Sequence, residues 1–171
     1  MNRLFKHAVL VALTSFAVAS TAAAQREALA PQQSSRPLLG PQLGFATNDF
    51  DFFVGAQFAY PVAKSFDIYP SFQIFFPGNN VTAWSLNAEG RYWVKLNTPN
   101  PGLYVGGGLN YTHASVDLGP VLGSASSSDV GLGLLGGWDF KAVGWRPFAQ
   151  IRFVIGDADR IEFGGGINFK L

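Results

Sequence analysis

From Leu39 to Leu171 the chain alternates between apolar residues and polar or small ones, in stretches separated by turn-forming residues. The last stretch shows it most cleanly: Ile161, Phe163, Gly165, Ile167, Phe169 and Leu171 share one parity, and Glu162, Asn168 and Lys170 share the other. A period of two is the signature of a β-strand with one greasy face. Eight such segments can be marked, at residues 39–47, 51–60, 66–76, 82–94, 103–113, 129–140, 145–155 and 161–171. Each is close to the roughly 9 to 11 residues with which a tilted strand crosses a bilayer, and no comparable segment has a helical period.

Sorting the positions by parity separates the charges. One face collects Phe52, Val54, Phe58 and Tyr60, then Phe66, Ile68, Phe72, Ile74 and Phe76, then Trp84, Leu86 and Tyr92. It continues through Leu103, Val105, Leu109, Tyr111, Val130, Leu132, Leu134, Trp138, Trp145, Ile151, Phe153 and Ile155, without an Asp, Glu, Lys or Arg. The other face carries Asp67, Glu89, Arg91, Asp129, Asp139, Arg146, Arg152, Glu162 and Lys170 together with several Gln and Asn. A soluble barrel of the lipocalin kind has the opposite sense, with a greasy inside and a charged outside. Arg or Lys on a lipid-facing strand costs about 2 to 4 kcal/mol at the bilayer centre, so a charge-free apolar face points to lipid contact. The expected fold is all-β, an eight-stranded antiparallel up-and-down transmembrane β-barrel.

Aromatic residues gather near the expected strand ends. Tyr60, Phe66, Tyr92, Trp138, Trp145 and Phe169 form one girdle, and Phe45, Phe52, Phe76, Trp84, Tyr111 and Phe163 the other. Of the connectors, Ala114 to Ser128 reads as the one long loop, rich in glycine and serine. Pro70 and Pro147 fall inside strands and lack a donor, which predicts bulges or kinks there.

The amino-terminal residues differ in kind. Arg3, Lys6 and His7 precede an apolar run from Ala8 to Val18, and Ala22-Ala23-Ala24 comes before Gln25. That order is a secretory signal over residues 1–24, with an apolar run too short to span a membrane. Residues 25–39 read as a polar, proline-interrupted leader and 40–171 as one barrel domain. Cleavage would remove Arg3 and Lys6 and leave ten basic against eleven acidic side chains, a balance that gives no reason to expect nucleic acid. With no cysteine, an exported domain must depend on burial and backbone pairing. After the signal no run of 18 apolar residues remains for a membrane helix.

The signal, the eight alternating segments and the ending Gly164-Gly165-Gly166-Ile167-Asn168-Phe169-Lys170-Leu171 resemble the small bacterial outer-membrane β-barrels, the OmpA-like and OmpX-like family. The resemblance covers residues 40–171 and implies the bacterial outer membrane, with both termini in the periplasm. It also implies outer-membrane lipid or lipopolysaccharide as surroundings, insertion by the barrel assembly machinery through the last strand, and a monomer. The family's usual final residue is Phe; here Leu171 closes the chain and Phe169 precedes it.

Candidate chemistry is sparse. An eight-stranded lumen is narrow enough for side chains to fill. Glu89, Arg91, Arg152 and Glu162 on the inward parity predict one buried ion-pair network, set among inward glycines at Gly106, Gly108, Gly131, Gly133, Gly164 and Gly166. His113 and Ser115 share the outward parity, and His113-Ala114-Ser115 resembles the H-x-S pair of outer-membrane lipid A deacylases, although Val116-Asp117 follows where that family has Asn-Ala. A deacylase-like hydrolase and a narrow pore are therefore the alternatives to a non-enzymatic envelope or surface-interaction role. Gly131 to Gly136 fits G-x-G-x-x-G literally, but lies in a strand with no helix after it, so no dinucleotide site is expected. No cofactor or metal is expected either, with no cysteine and a single histidine after the signal; Asp157 and Asp159 read as caps of the last hairpin.

Overall fold

The structure, a computed structural model, describes residues 34–48, 51–78, 81–96, 102–117, 123–140, 144–157 and 159–171. The expected signal and most of the leader lie outside the described residues. Eight strands follow one another along the chain: β1 Leu38–Ala46, β2 Asp51–Ala63, β3 Phe66–Phe76, β4 Val81–Trp93, β5 Leu103–Asp117, β6 Ser124–Asp139, β7 Trp145–Ile155 and β8 Arg160–Lys170. Each pairs antiparallel with its neighbours, and β8 pairs with β1, so the sheet closes into an up-and-down barrel. Closure satisfies the backbone of both terminal strands, which an open sheet would leave with bare edges.

β3 and β7 occupy the spans read from alternation alone, and burial alternates along them residue by residue. Leu43, Phe45, Phe76 and Leu109 on the outward parity are each at least 55 % exposed, while Gln73, Arg91 and Asn110 on the inward parity are fully buried. Tight turns join several pairs. Asn48 takes φ +66° after β1, and Gly78 takes φ +74° after β3, where an added Cβ would meet open space but a strained backbone.

Three expectations change. Ala114 to Ser128 is not one long loop: β5 continues to Asp117 and β6 starts at Ser124, with Ala114 opposite Ser127 and Asp117 opposite Ser124. Serine and alanine hide this extension because residues 124–128 carry no alternation of apolar and polar positions. β1 begins at Leu38, so the last residues of the expected leader belong to the barrel, and buried Leu38 packs with Ala59, Tyr69, Trp93, Tyr104 and Leu135. The expected bulges at Pro70 and Pro147 are absent, and the register shift falls instead between Pro61 and Ala63. Pro70 stays in register with Ala88, while on its other side the bridges pass from Gln57–Ser71 to Tyr60–Ile68 and skip Phe58 and Ala59. A missing donor is absorbed by a gap in one ladder without an extra residue.

Candidate functional site

The inward faces bring the chain's polar chemistry into the bore of the barrel. Near the end where β1 begins and β8 finishes, Arg91 Nη2 donates to Asp67 Oδ2 at 2.9 Å, and the indole nitrogen of Trp93 donates to the same oxygen at 2.8 Å. The guanidinium carbon of Arg91 lies 3.9 Å from the centre of the Tyr69 ring and 4.8 Å from that of Tyr104, an aromatic cage for a cation. Beside it Arg146 Nε donates to Asp139 Oδ1 at 2.8 Å, and its guanidinium carbon lies 5.5 Å from the centre of the Trp93 ring.

A neutral layer follows. Gln57 Nε2 donates to Asn168 Oδ1 at 2.9 Å, Tyr69 donates its hydroxyl to Gln57, and Tyr104 donates to Gln150 Oε1 at 3.2 Å. Beyond that layer stands the second charged cluster. Arg152 Nε and Nη2 donate to the two oxygens of Glu89 at 2.8 and 2.9 Å, and its Nη1 donates to Glu162 Oε2 at 2.7 Å. Glu162 also accepts from Arg160 Nε at 2.8 Å and from Gln73 Nε2 at 3.0 Å. The charges on β3, β4, β6, β7 and β8 thus meet one another across the bore, as taking them out of water requires.

Of the four residues expected in one network, three come together: Glu89, Arg152 and Glu162. Arg152 and Glu162 are directly opposite in the β7–β8 register. Arg91 belongs to the other cluster, because register places Asp67 directly across from it on β3. Sequence reading left out Asp67, Arg160, Gln73 and Tyr69 as partners, although all lie on the inward parity. Gly133 shows why glycine lines this layer: a Cβ there would lie 2.7 Å from Glu89 Oε1. Gly164 faces the Phe53 ring, and a Cβ on Gly166 would collide first with the Pro41 carbonyl and then with the Phe148 ring.

The outward histidine has a different partner from the one expected. His113 Nδ1 is 2.9 Å from Ser128 Oγ, which also accepts from the Tyr111 hydroxyl at 3.1 Å, and the His113 ring lies 5.5 Å from that of Trp84. Ser115 is two positions further along β5, opposite Ser126 on β6 and Thr82 on β4. Ser128 lies on β6, directly opposite His113, in the stretch whose serines read as a loop. The last hairpin is capped through Asp159, whose Oδ1 accepts the Gly156 amide at 2.7 Å.

The girdle residues all point outward. Tyr60, Tyr92 and Trp145 are exposed, and Trp84, Tyr111 and Trp138 are half-buried against their neighbours. Phe45, Phe52 and Phe76 form a row across β1 to β3 with ring centres 5.6 and 6.1 Å apart, and Phe72, Trp84 and Tyr111 form another across β3 to β5 at 6.2 and 5.5 Å.

Solved structures of the same architecture exist. The amino-terminal β-barrel domain of Pseudomonas aeruginosa OprF superposes with a TM-score of 0.60 at 15 % identity, covering 81 % of this chain and 100 % of that one. Neisserial surface protein A (NspA) gives a TM-score of 0.59 at 17 % identity over 79 % and 96 % of the two chains. Ail, the attachment invasion locus protein of Yersinia pestis, gives 0.52 at 14 % identity over 80 % and 97 %. No protein-family model and no curated protein matches the chain by sequence. The eight-stranded barrel fold of these outer-membrane proteins is therefore the fold of this chain.

Proposed function

We propose that this chain is an integral, non-enzymatic protein of the bacterial outer membrane, with its bore filled by its own side chains and a role in envelope integrity or surface interaction. The observation that carries this reading is the outer face. Around a closed barrel, exposed Phe, Leu, Ile and Val form a continuous belt while the charges point inward. A water-soluble protein rarely exposes an apolar patch beyond a few hundred Å², and a belt around the whole circumference calls for hydrocarbon.

The filled bore rests on Arg152, which ties β7 to β4 and β8, and on the caged Arg91, whose partners come from β3 and β5. In the same reading the first 24 residues direct export and are removed, the termini face the periplasm, and the barrel assembly machinery recognises the last strand. Lipid or lipopolysaccharide surrounds a monomer. The β5–β6 hairpin, with exposed Ser124 to Ser128 beyond the apolar belt, is the surface offered to the outside. Neisserial surface protein A and the attachment invasion locus protein share this fold and carry surface duties in their names.

The test is expression of the full chain with its amino-terminal segment in a Gram-negative host, followed by fractionation and gel mobility before and after boiling. Recovery in the outer membrane with a heat-dependent mobility shift is expected. Recovery as an aqueous protein without a shift overturns the reading. In planar bilayers the folded protein is expected to show no discrete conductance steps, and steady openings would overturn the filled bore.

A further inference from the structure

The apolar belt is not smooth. Across β6, β7, β8 and β1 it is indented by a groove of about 580 Å³. Its floor is made where small residues meet on the outward parity: Ala149 faces Gly165 on one side and Trp138 on the other, and Gly136 on β6 lies opposite Ile151, two positions from Trp138. Its walls are large. Ile151 and Phe163 are directly paired along one flank, Trp138 stands at one end, and Leu43 and Phe45 stand at the other, each 55 % exposed. Four adjacent strands give the groove a length of about 14 Å at the usual strand spacing of about 4.8 Å.

We propose that this groove seats one acyl chain of a glycerophospholipid from the periplasmic leaflet, as a resident lipid bound in defined stoichiometry. The inference rests on the outer-membrane reading, because only there is hydrocarbon the surrounding medium. The outward side chains of floor and walls offer no charge, so the occupant is apolar along its length. The floor is recessed behind tall side chains, so the convex flank of a second barrel would ride on Phe163, Trp138 and Phe45 and leave the floor empty. A thin flexible chain reaches it, and dispersion contacts with the flanking Ile151 and Phe163 favour filling the groove over leaving it void. The headgroup end follows from Trp138, one residue before β6 ends at Asp139 on the side of the barrel where β1 begins and β8 finishes. Its indole nitrogen sits at the rim, where a Cβ on Gly102 would come within 3.1 Å, the placement of an interfacial tryptophan.

The glycine of β6 supplies the test. A Cβ on Gly136 would have the Tyr104 carbonyl, at 4.0 Å, as its nearest neighbour, so Gly136→Leu fills the groove without straining the sheet. Ala149→Leu fills the same floor from β7, and Ala88→Leu, outward on β4, enlarges the belt away from the groove. The mature chain and these variants are reconstituted in vesicles of phosphatidylethanolamine and phosphatidylglycerol, extracted into mild detergent, and weighed by native mass spectrometry. The wild type and Ala88→Leu are expected to retain one phospholipid per barrel, and the two filling variants to lose it by about tenfold or more. A wild type without bound lipid, equal loss in all three variants, or a dimer that Gly136→Leu dissociates would overturn the seat. Boiling-dependent mobility of the same samples separates this outcome from failure of the membrane reading, since a folded, inserted barrel without lipid defeats the seat alone.

Discussion

Arg152 on β7 grips the carboxylate of Glu89 on β4 with two parallel hydrogen bonds, 2.8 and 2.9 Å long, between strands that are not neighbours in the sheet. The same guanidinium holds Glu162, so its removal leaves two acidic groups buried without their shared cation. Arg152→Met is expected to destabilise the detergent-folded barrel by about 3 to 5 kcal/mol, the usual cost of breaking a buried pair from one side. Replacing Glu89 by Gln in the same chain removes one of the orphaned charges, so the double variant should cost less than the two single ones together. Urea titration followed by the heat-dependent gel shift measures all three. Strict additivity would show that the contact carries no coupling.

Gly133 and Gly136 lie three residues apart on β6 and face opposite ways. A Cβ at Gly133 would lie 2.7 Å from Glu89 Oε1, whereas at Gly136 the nearest atom is 4.0 Å away. Glu89 cannot swing aside freely, because Arg152 holds it. Gly133→Ala should therefore lower stability by about 1 to 3 kcal/mol, as overpacking does, while Gly136→Ala changes it little. Equal effects in the same titration would mean that the inner layer is looser than its distances indicate.

His113 and Ser128 are within hydrogen-bond distance, which is one requirement of a hydrolytic pair. Their neighbours are Tyr111 and Trp84, rings that suit a membrane interface. The expected result is that lipid A from cells carrying the protein keeps its full acyl count, with His113→Ala and Ser128→Ala indistinguishable from the wild type. Loss of an acyl chain that either substitution abolishes would establish an enzyme.

The barrel was legible because the outward positions are apolar over many strands in succession while the charges keep to the inward parity. Phe66 to Phe76 and Trp145 to Ile155 could be bounded to the residue on that pattern alone. Two things were not legible. Pairing across the bore depends on register and closure, so Arg91 and Glu89, two apart on one strand, go to different partners, Asp67 and Arg152. The alternation also stops informing where the surroundings change: Ser124 to Ser128 carries no apolar face, so a paired strand looked like a loop and Ser128 was lost as the partner of His113.

That extension creates an asymmetry along β6. Ser124 to Ser128 pair with β5 on one side, while pairing with β7 begins only at Leu132, opposite Ile155. Among the described residues, this stretch is the edge of a sheet that continues past its neighbour. No lysine or proline blunts it, so it has the features of an edge open to another extended segment. Successive amides of a strand point to opposite sides, so one of Ser126 and Ser127 donates toward β5 and the other toward the open side. Of the two substitutions Ser126→Pro and Ser127→Pro, one should therefore leave stability nearly unchanged and the other should weaken the hairpin, whereas Leu134→Pro, between two paired neighbours, should block folding. Hydrogen exchange gives the independent reading: amides of Ser124 to Ser128 should alternate between slow and fast, and those from Leu132 to Trp138 should be uniformly slow. Uniform protection across the serine stretch, or equal damage from both prolines, would show that the edge is covered.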